Sequence, residues 1–181
     1  MRMGNVDRDD EAAFAEFVTR EWSRLVRVGF LLTGDVGRAE DLVQQTLVKV
    51  HRHWRKLRRE GSPYAYTRAA LVNESTSWWR RKRVAVNLGE IPAHADRDSR
   101  DAYAGVDNRD ALIRALHSLP PRMRAVIVLR YYDGLSEAET AHALGVSVGS
   151  VKSQTSRGLE RMRTLLGDTS PNPSELQKNG A

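Results

Sequence analysis

Cysteine is missing altogether from the 181 residues of this chain. Disulfides and thiolate metal sites are therefore unavailable to it, and a reducing compartment suits it. Long apolar runs are missing as well, since none approaches the ~20 residues that a membrane-spanning helix needs. The N-terminal stretch MRMGNVDRDDEAAF is acidic and lacks the apolar core of a secretory signal. A soluble, cytoplasmic protein with no membrane insertion is the expectation. No segment shows the convincing period-two alternation of a half-buried strand. Histidine numbers only five, and only His51 and His53 lie close together. On a helix those two fall on different faces, which argues against a metal pair. The acidic residues sit in helix caps and one central segment, not in a cluster suited to metal-assisted hydrolysis. The reading is therefore of a chain with no catalytic residue, no metal and no cofactor.

What is present is positive charge, unevenly spread. The formal net charge is +6 and the pI is near 10. Residues 49–83 hold eleven Lys/Arg against Glu60 and Glu74, whereas residues 84–107 hold Arg97 and Arg100 against five acidic residues. A basic block followed by an acidic one reads as a polyanion-binding surface and then a linker that avoids it.

Helical periodicity dominates the rest. Phe14, Val18, Trp22, Leu25, Gly29 and Leu32 recur at spacings of three and four, predicting a helix over 10–32, with Phe17 and Val28 widening its stripe. Thr33-Gly34-Asp35 ends it and caps a second helix, whose face carries Ala39, Leu42, Val43, Thr46, Leu47, Val50, Trp54 and Leu57. Ser62-Pro63 starts a third helix that is expected to reach Arg83. Residues 84–107 have no sustained period and read as a flexible linker. Asp107 caps a short helix bearing Leu112, Leu116 and Leu119. Pro120-Pro121 starts another through Met123, Val126, Ile127 and Tyr131, which Asp133-Gly134 closes. The polar tail from 168 to 181 carries two prolines and is expected to be disordered. The fold class is thus all-α. Two small helical domains are expected, 10–83 with three to four helices and 108–167 with four.

The C-terminal domain holds the sharpest motif, GLSEAETAHALGVSVGSVKSQTSRGLERMR at 134–163. Ser136 to Glu139 spell a capping box, Gly145 ends that helix and Ser147 caps the next. Ala141, Gly145 and Val151 fall where a helix-turn-helix needs a small residue, a turn glycine and a branched lock. On the second helix Lys152, Ser153, Ser156 and Arg157 lie in the N-terminal half, where recognition helices meet base edges. Arg157 suits a guanine and the serines suit bases or phosphates. Lys152 suits a phosphate, and the backbone N–H groups of Gly149 and Ser150 are expected to be free for another. An ordinary helical hairpin inside a bundle would share part of this pattern.

The third N-terminal helix, SPYAYTRAALVNESTSWWRRKR, interleaves Tyr64, Tyr66, Trp78 and Trp79 with Arg68, Arg80, Arg81, Lys82 and Arg83. Rings on which bases stack and cations that follow a backbone suit single-stranded DNA. Trp22, Trp54 and at least one of Trp78 and Trp79 are expected in the core instead. A free-standing helix-turn-helix regulator and a two-ended promoter reader both remain open on these residues.

Three segments taken together resemble the extracytoplasmic-function branch of the sigma-70 family, the small promoter-specificity subunits of bacterial RNA polymerase. GDVGRAEDLVQQTLVKVHRHW (34–54) resembles the helix that docks on the clamp coiled coil of the largest polymerase subunit. The helix from Ser62 resembles the segment that melts and reads the −10 element, and LPPRMRAVIVLRYYDGLSEAETAHALGVSVGSVKSQTSRGLERMR (119–163) resembles the domain that reads the −35 element. The resemblance spans about residues 10–166. Its SWWRRKR and LVNE segments are most similar to an actinobacterial, SigE-like branch.

The resemblance implies that Asp41, Gln44 and Gln45 face core polymerase, whose flap region is a second contact. It implies a loop from Leu57 to Pro63, with Leu57, Arg58, Arg59, Gly61 and Ser62, that captures a base flipped from the −10 strand. Asn73 lies near that pocket, with Tyr64, Tyr66, Trp78, Arg80 and Arg81 completing the −10 set. Ser150, Lys152, Ser153, Ser156 and Arg157 form the −35 set. An anti-sigma factor is an implied further partner, and the acidic linker is implied to run near the polymerase active channel. The chain departs from the family pattern at Ser77, where many relatives have an aspartate, at Pro63-Tyr64, and at Ser156, where a bulkier residue is common. Base preferences therefore do not transfer at either element.

Overall fold

The computed structural model describes residues 3–87 and 107–167, apart from the side chains of 3–7, 60, 80, 82–87 and 107–108. Most of the expected linker and the whole expected tail lie outside the described residues. Within them the chain is helical, with no strand. Helix α1 spans Met3–Thr33, α2 Val36–Arg52, α3 Trp54–Glu60 and α4 Pro63–Asn87. The second half comprises α5 (Asp107–His117), α6 (Pro121–Ile127) with a π-helical turn (Val128–Tyr132), α7 (Glu137–Leu144) and α8 (Val148–Leu166).

The first hairpin forms as its residues dictate. Asp35 in extended backbone accepts the Arg38 N–H at 2.7 Å, satisfying one of the orphan donors of α2. The stripe of α2 buries Ala39, Leu42, Val43, Thr46, Leu47 and Val50. Against it α1 buries Phe17, Leu25, Val28 and Leu32. Each such leucine or valine contributes about 1.5–3 kcal/mol. Gly29 lets the helices touch, because a Cβ there would stand 3.1 Å from that of Ala39. Gly34 turns the corner with φ of +84°.

The second helix does not run on through Leu57 as its stripe predicts. It breaks at His53 (φ −112°, ψ 7°), whose N–H bonds the Val50 carbonyl at 3.0 Å in a tightened last turn. The break aims Trp54 between Phe14 and Phe17, with ring centroids at 5.2 and 5.1 Å. Such aromatic pairs are worth about 0.5–1.5 kcal/mol beyond their buried area. Helix α4 starts where Ser62-Pro63 predicts and continues four residues past Arg83. Trp54 is core as expected, while Trp22, Trp78 and Trp79 are half-buried.

In the second half, α6 opens at Pro121 as expected. The π turn then inserts a residue, and the Asp133 N–H reaches back five positions to the Val128 carbonyl at 3.1 Å. That extra residue rotates Tyr131 outward to 58% exposure, although its spacing had placed it on the packed face. Of the apolar residues read on α5 and just after it, Leu112 is exposed, while Leu116 and Leu119 are buried.

The two halves pack on each other. Helices α1 and α4 meet α5, α6, the π turn and α7, and α8 packs on α5, α6 and α7. One apolar cluster runs through both halves, joining Leu32, Leu71 and Val72 to Leu119, Met123, Leu129 and Ala143. Across the seam Arg124 donates to the carbonyls of Leu32 (2.7 Å), His117 (2.7 Å) and Leu119 (3.1 Å). It is only 4% exposed, so these bonds replace the water its charge has lost.

Candidate nucleic-acid and polymerase interfaces

The motif at 134–163 folds as a helix-turn-helix. Ser136 accepts the Glu139 N–H at 3.2 Å, and the Glu139 carboxylate accepts the Ser136 N–H at 2.8 Å, completing the capping box. These bonds from Ser136 hold the Glu139 carboxyl below its ordinary range. Gly145 takes the turn in left-handed backbone (φ 63°, ψ 38°). Ala141 and Val151 are buried and share a small cluster with Val126, which locks α8 to α7 and α6. Gly158, which the pattern does not single out, allows α8 to lie on α6. A Cβ there would stand 3.1 Å from Ile127 and Met123.

On the opposite side of α8, Lys152, Ser153, Ser156 and Arg157 are all exposed. Lys152 lies 3.7 Å from Glu137, a loose surface pair. Ser150 is partly turned inward, where its hydroxyl accepts from Gln154 at 2.9 Å. The expectation of a free N–H at Ser150 fails, because that group donates to the Ser147 hydroxyl at 3.2 Å. The serine that starts the helix consumes one of the donors that was reserved for a phosphate.

The third-helix set is divided. Tyr66 and Arg81 are exposed, while the side chain of Arg80 lies outside the described residues. Trp78 lies under Arg38, with the guanidinium 5.4 Å from the ring centroid. The expected loop from Leu57 shrinks to Gly61 and Ser62, because α3 carries helix through Glu60. Leu57 continues the apolar stripe one turn after Trp54 and packs on the core. Arg58 pairs with Asp10 at 3.2 Å, and Arg59, Gly61 and Ser62 face solvent. Asn73 donates to the Ala143 carbonyl of the other half, at a long 3.4 Å.

Tyr64 is engaged at the seam. Its hydroxyl donates to Asp133 at 3.0 Å, and the same carboxylate takes Arg24 and Arg68 at 2.8 Å each. Burial first, and then the Asp133 charge, hold the Tyr64 phenol well above its ordinary range. Periodicity gave no signal for Arg24. Asp133 read as half of an Asp-Gly turn, which accounted for its polarity without a partner. His117, packed on Gly34 and beside Arg124, was likewise read only as one histidine among five.

On α2, Asp41, Gln44 and Gln45 are exposed opposite the buried Leu42/Val43/Leu47 face, as expected. Asp41 and Gln45 share a shallow cleft with Glu74, Trp78 and Arg81 of α4. The polymerase-facing set and part of the −10 set therefore adjoin.

An all-helical chain with a groove-sized recognition helix at one end and a basic, aromatic helix at the other defines a class of DNA-binding transcription factor. Comparisons with known proteins narrow it. The sigma-70 region 2 model matches residues 17–84, and the sigma-70 region 4 model matches 109–162. The RNA polymerase sigma-E factor of Streptomyces avermitilis is 36% identical over 154 residues, covering 84% of each chain. The ECF RNA polymerase sigma factor SigM of Mycobacterium tuberculosis is 31% identical over 160 residues, covering 87% of this chain and 79% of its own. The sigma factor RpoE of Bartonella quintana, solved with the anti-sigma factor NepR, matches in fold with a TM-score of 0.70. It is 24% identical over 88% of this chain and 99% of its own. The chain belongs to the sigma-70 family, as an RNA polymerase sigma factor of the extracytoplasmic-function, SigE-like type.

Proposed function

We propose that the chain docks on core RNA polymerase through the exposed Asp41, Gln44 and Gln45 face, reads −35 duplex with α8 and holds melted −10 strand on α4. The observation that carries this division is the exposure of Lys152, Ser153, Ser156 and Arg157 together on the second helix of the helix-turn-helix. The residues from Ser62 to Arg83 form the −10 reader, and 108–167 the −35 reader. The chain between Asn87 and Asp107 connects the two in sequence.

In the closed arrangement α8 can meet a major groove, whereas Tyr64 and Asn73 are held by the other half. Reading both elements at once requires the seam to open, and binding to polymerase supplies the free energy for it. Melting is then driven by stacking of unpaired bases on α4, at about 1–3 kcal/mol per base. The chain makes and breaks no bond itself, and it acts with polymerase in the cytoplasm. The family resemblance brings an anti-sigma factor into the same reading as a partner that controls access to these faces.

Run-off transcription from a cognate promoter tests the proposal. Transcripts that require both core polymerase and this chain are the expected result. A chain that protects promoter DNA without polymerase, and adds nothing to transcription with it, would be a free-standing regulator instead.

A further inference from the structure

We propose that Arg24, Tyr64 and Arg68 form a phosphate-binding site for the promoter backbone, and that Asp133 occupies this site in the closed chain. The proposal rests on the promoter-reading role above, and concerns a site that neither the −10 nor the −35 set contained as such.

Three donors from α1 and α4 converge on one carboxylate. Arg24 Nη2 and Tyr64 Oη reach Asp133 Oδ1 at 2.8 and 3.0 Å, and Arg68 Nη1 reaches Oδ2 at 2.8 Å. The carboxylate comes from the far half, and its side chain is only 1% exposed. Both guanidiniums lie near the ring of Tyr64, at 4.1 and 5.6 Å from its centroid. The ring thereby orders two forked cations around one anion position.

The site holds more donor capacity than a carboxylate uses. Arg68 Nε is buried and has no hydrogen-bond partner. A phosphodiester presents two anionic oxygens and two ester oxygens to a guanidinium fork, whereas a carboxylate presents two oxygens in all. When the halves separate, Asp133 leaves with the π turn, and two arginines on the α1 and α4 side are left without that counter-charge. They lie on the helix expected to hold the melted strand and on its neighbour, where a nucleic-acid backbone supplies the replacement anion. Asp133 is then a competitor built into the chain: the site is filled by self while the molecule is closed, and by DNA once it opens.

The test uses the full-length chain and a labelled single-stranded deoxythymidine oligomer at low salt. Asp133→Asn keeps the side-chain volume and removes the charge. It should expand the free chain, read by small-angle scattering, and tighten oligomer binding by about five- to tenfold. Arg24→Gln or Arg68→Gln in the Asn background should abolish that gain and lower the salt slope by about 0.7 for each phosphate no longer neutralised. Arg68→Lys should keep the slope, since it keeps the charge. Circular dichroism checks folding, and Asp133→Ser is the second variant should the first not fold.

Equal oligomer binding by the Asp133 variants and the parent overturns the occupation of the site by Asp133. A gain that survives Arg24→Gln and Arg68→Gln overturns the site itself. Both readings come from the chain without polymerase. Failure of the parent chain to drive transcription would instead sink the promoter-reading role, and the two failures are told apart.

Discussion

The two helices that carry the DNA-reading candidates are treated in opposite ways by the fold. Helix α8 buries Val151, Gly158 and Met162 within its own half and turns its polar face to solvent. Helix α4 buries Leu71 and Val72, but gives Tyr64, Arg68 and Asn73 to contacts with the other half. A reader whose fold needs only its own half can be complete before any partner arrives. A reader that shares its surface with the rest of the chain must first be released, and its availability becomes a property of the whole molecule. The comparison is sharpened most by attacking the seam, and then by attacking the exposed face.

The largest effect is expected at Arg124. Arg124→Met leaves the carbonyls of Leu32, His117 and Leu119 without this donor, with two of the bonds wholly buried. The expected cost is about 3 kcal/mol or more, read as a lower urea midpoint. If the seam were dispensable to the fold, the midpoint would not move.

A pH effect at the same seam should come next. His117 is pushed down to about 4 from 6.5, first by burial and then by the Arg124 charge. Its neutral form is therefore favoured in the folded chain, and the unfolded chain takes up the proton first. This contribution is fully present above pH 6.5 and is lost as pH falls from 6.5 toward 4. It amounts to about 3 kcal/mol over that window. Stability of the parent against pH, compared with His117→Gln, measures it. The variant should show a flatter curve between pH 6.5 and 5, and equal slopes would remove His117 from the account.

The contrast between the two faces also governs how much could be read from residues alone. Local rules act within a few positions, so the Asp35 cap, the Ser136–Glu139 box, Gly145 and the exposed quartet on α8 all follow from spacing. The stripe of α2 likewise placed Asp41, Gln44 and Gln45 outward. What spacing does not carry is contact between residues far apart in the chain. Arg24 and Asp133 are separated by 109 positions, and Arg124 and the Leu32 carbonyl by 92. No periodicity couples such pairs. The π turn is a further case: one inserted residue turned Tyr131 out, which reverses what a 3.6-residue period predicts for it, and carried Asp133, read only as part of a turn, into the seam. The His53 break is set by where Phe14 and Phe17 stand, and these lie on another helix.

The exposed face offers smaller and cleaner effects. Arg157→Ala removes a side chain free to form a bidentate pair with a guanine. It should cost the holoenzyme about 1–3 kcal/mol of −35 binding and relax base preference at one position, as read by competition among single-base variants of the promoter. Because α8 does not depend on the seam for its exposure, this loss should be the same in an Asp133→Asn background. Non-additivity would mean that the two readers are coupled through the fold.

The smallest effect is expected at Lys152. Its partner Glu137 is loose, at 3.7 Å and at the surface, where such pairs contribute about 0–1 kcal/mol, so its removal should leave stability almost unchanged. Against DNA it offers a point charge on a flexible stem, which neutralises a phosphate without reading a base. Lys152→Ala should therefore weaken all promoters alike and reduce the slope of log affinity against log salt by about one. A change in the ranking of promoters, with the slope intact, would instead place Lys152 among the base-reading residues. The free face of α8 would then hold two specificity contacts, and its difference from α4 would lie in what it reads as well as in when it is free to read.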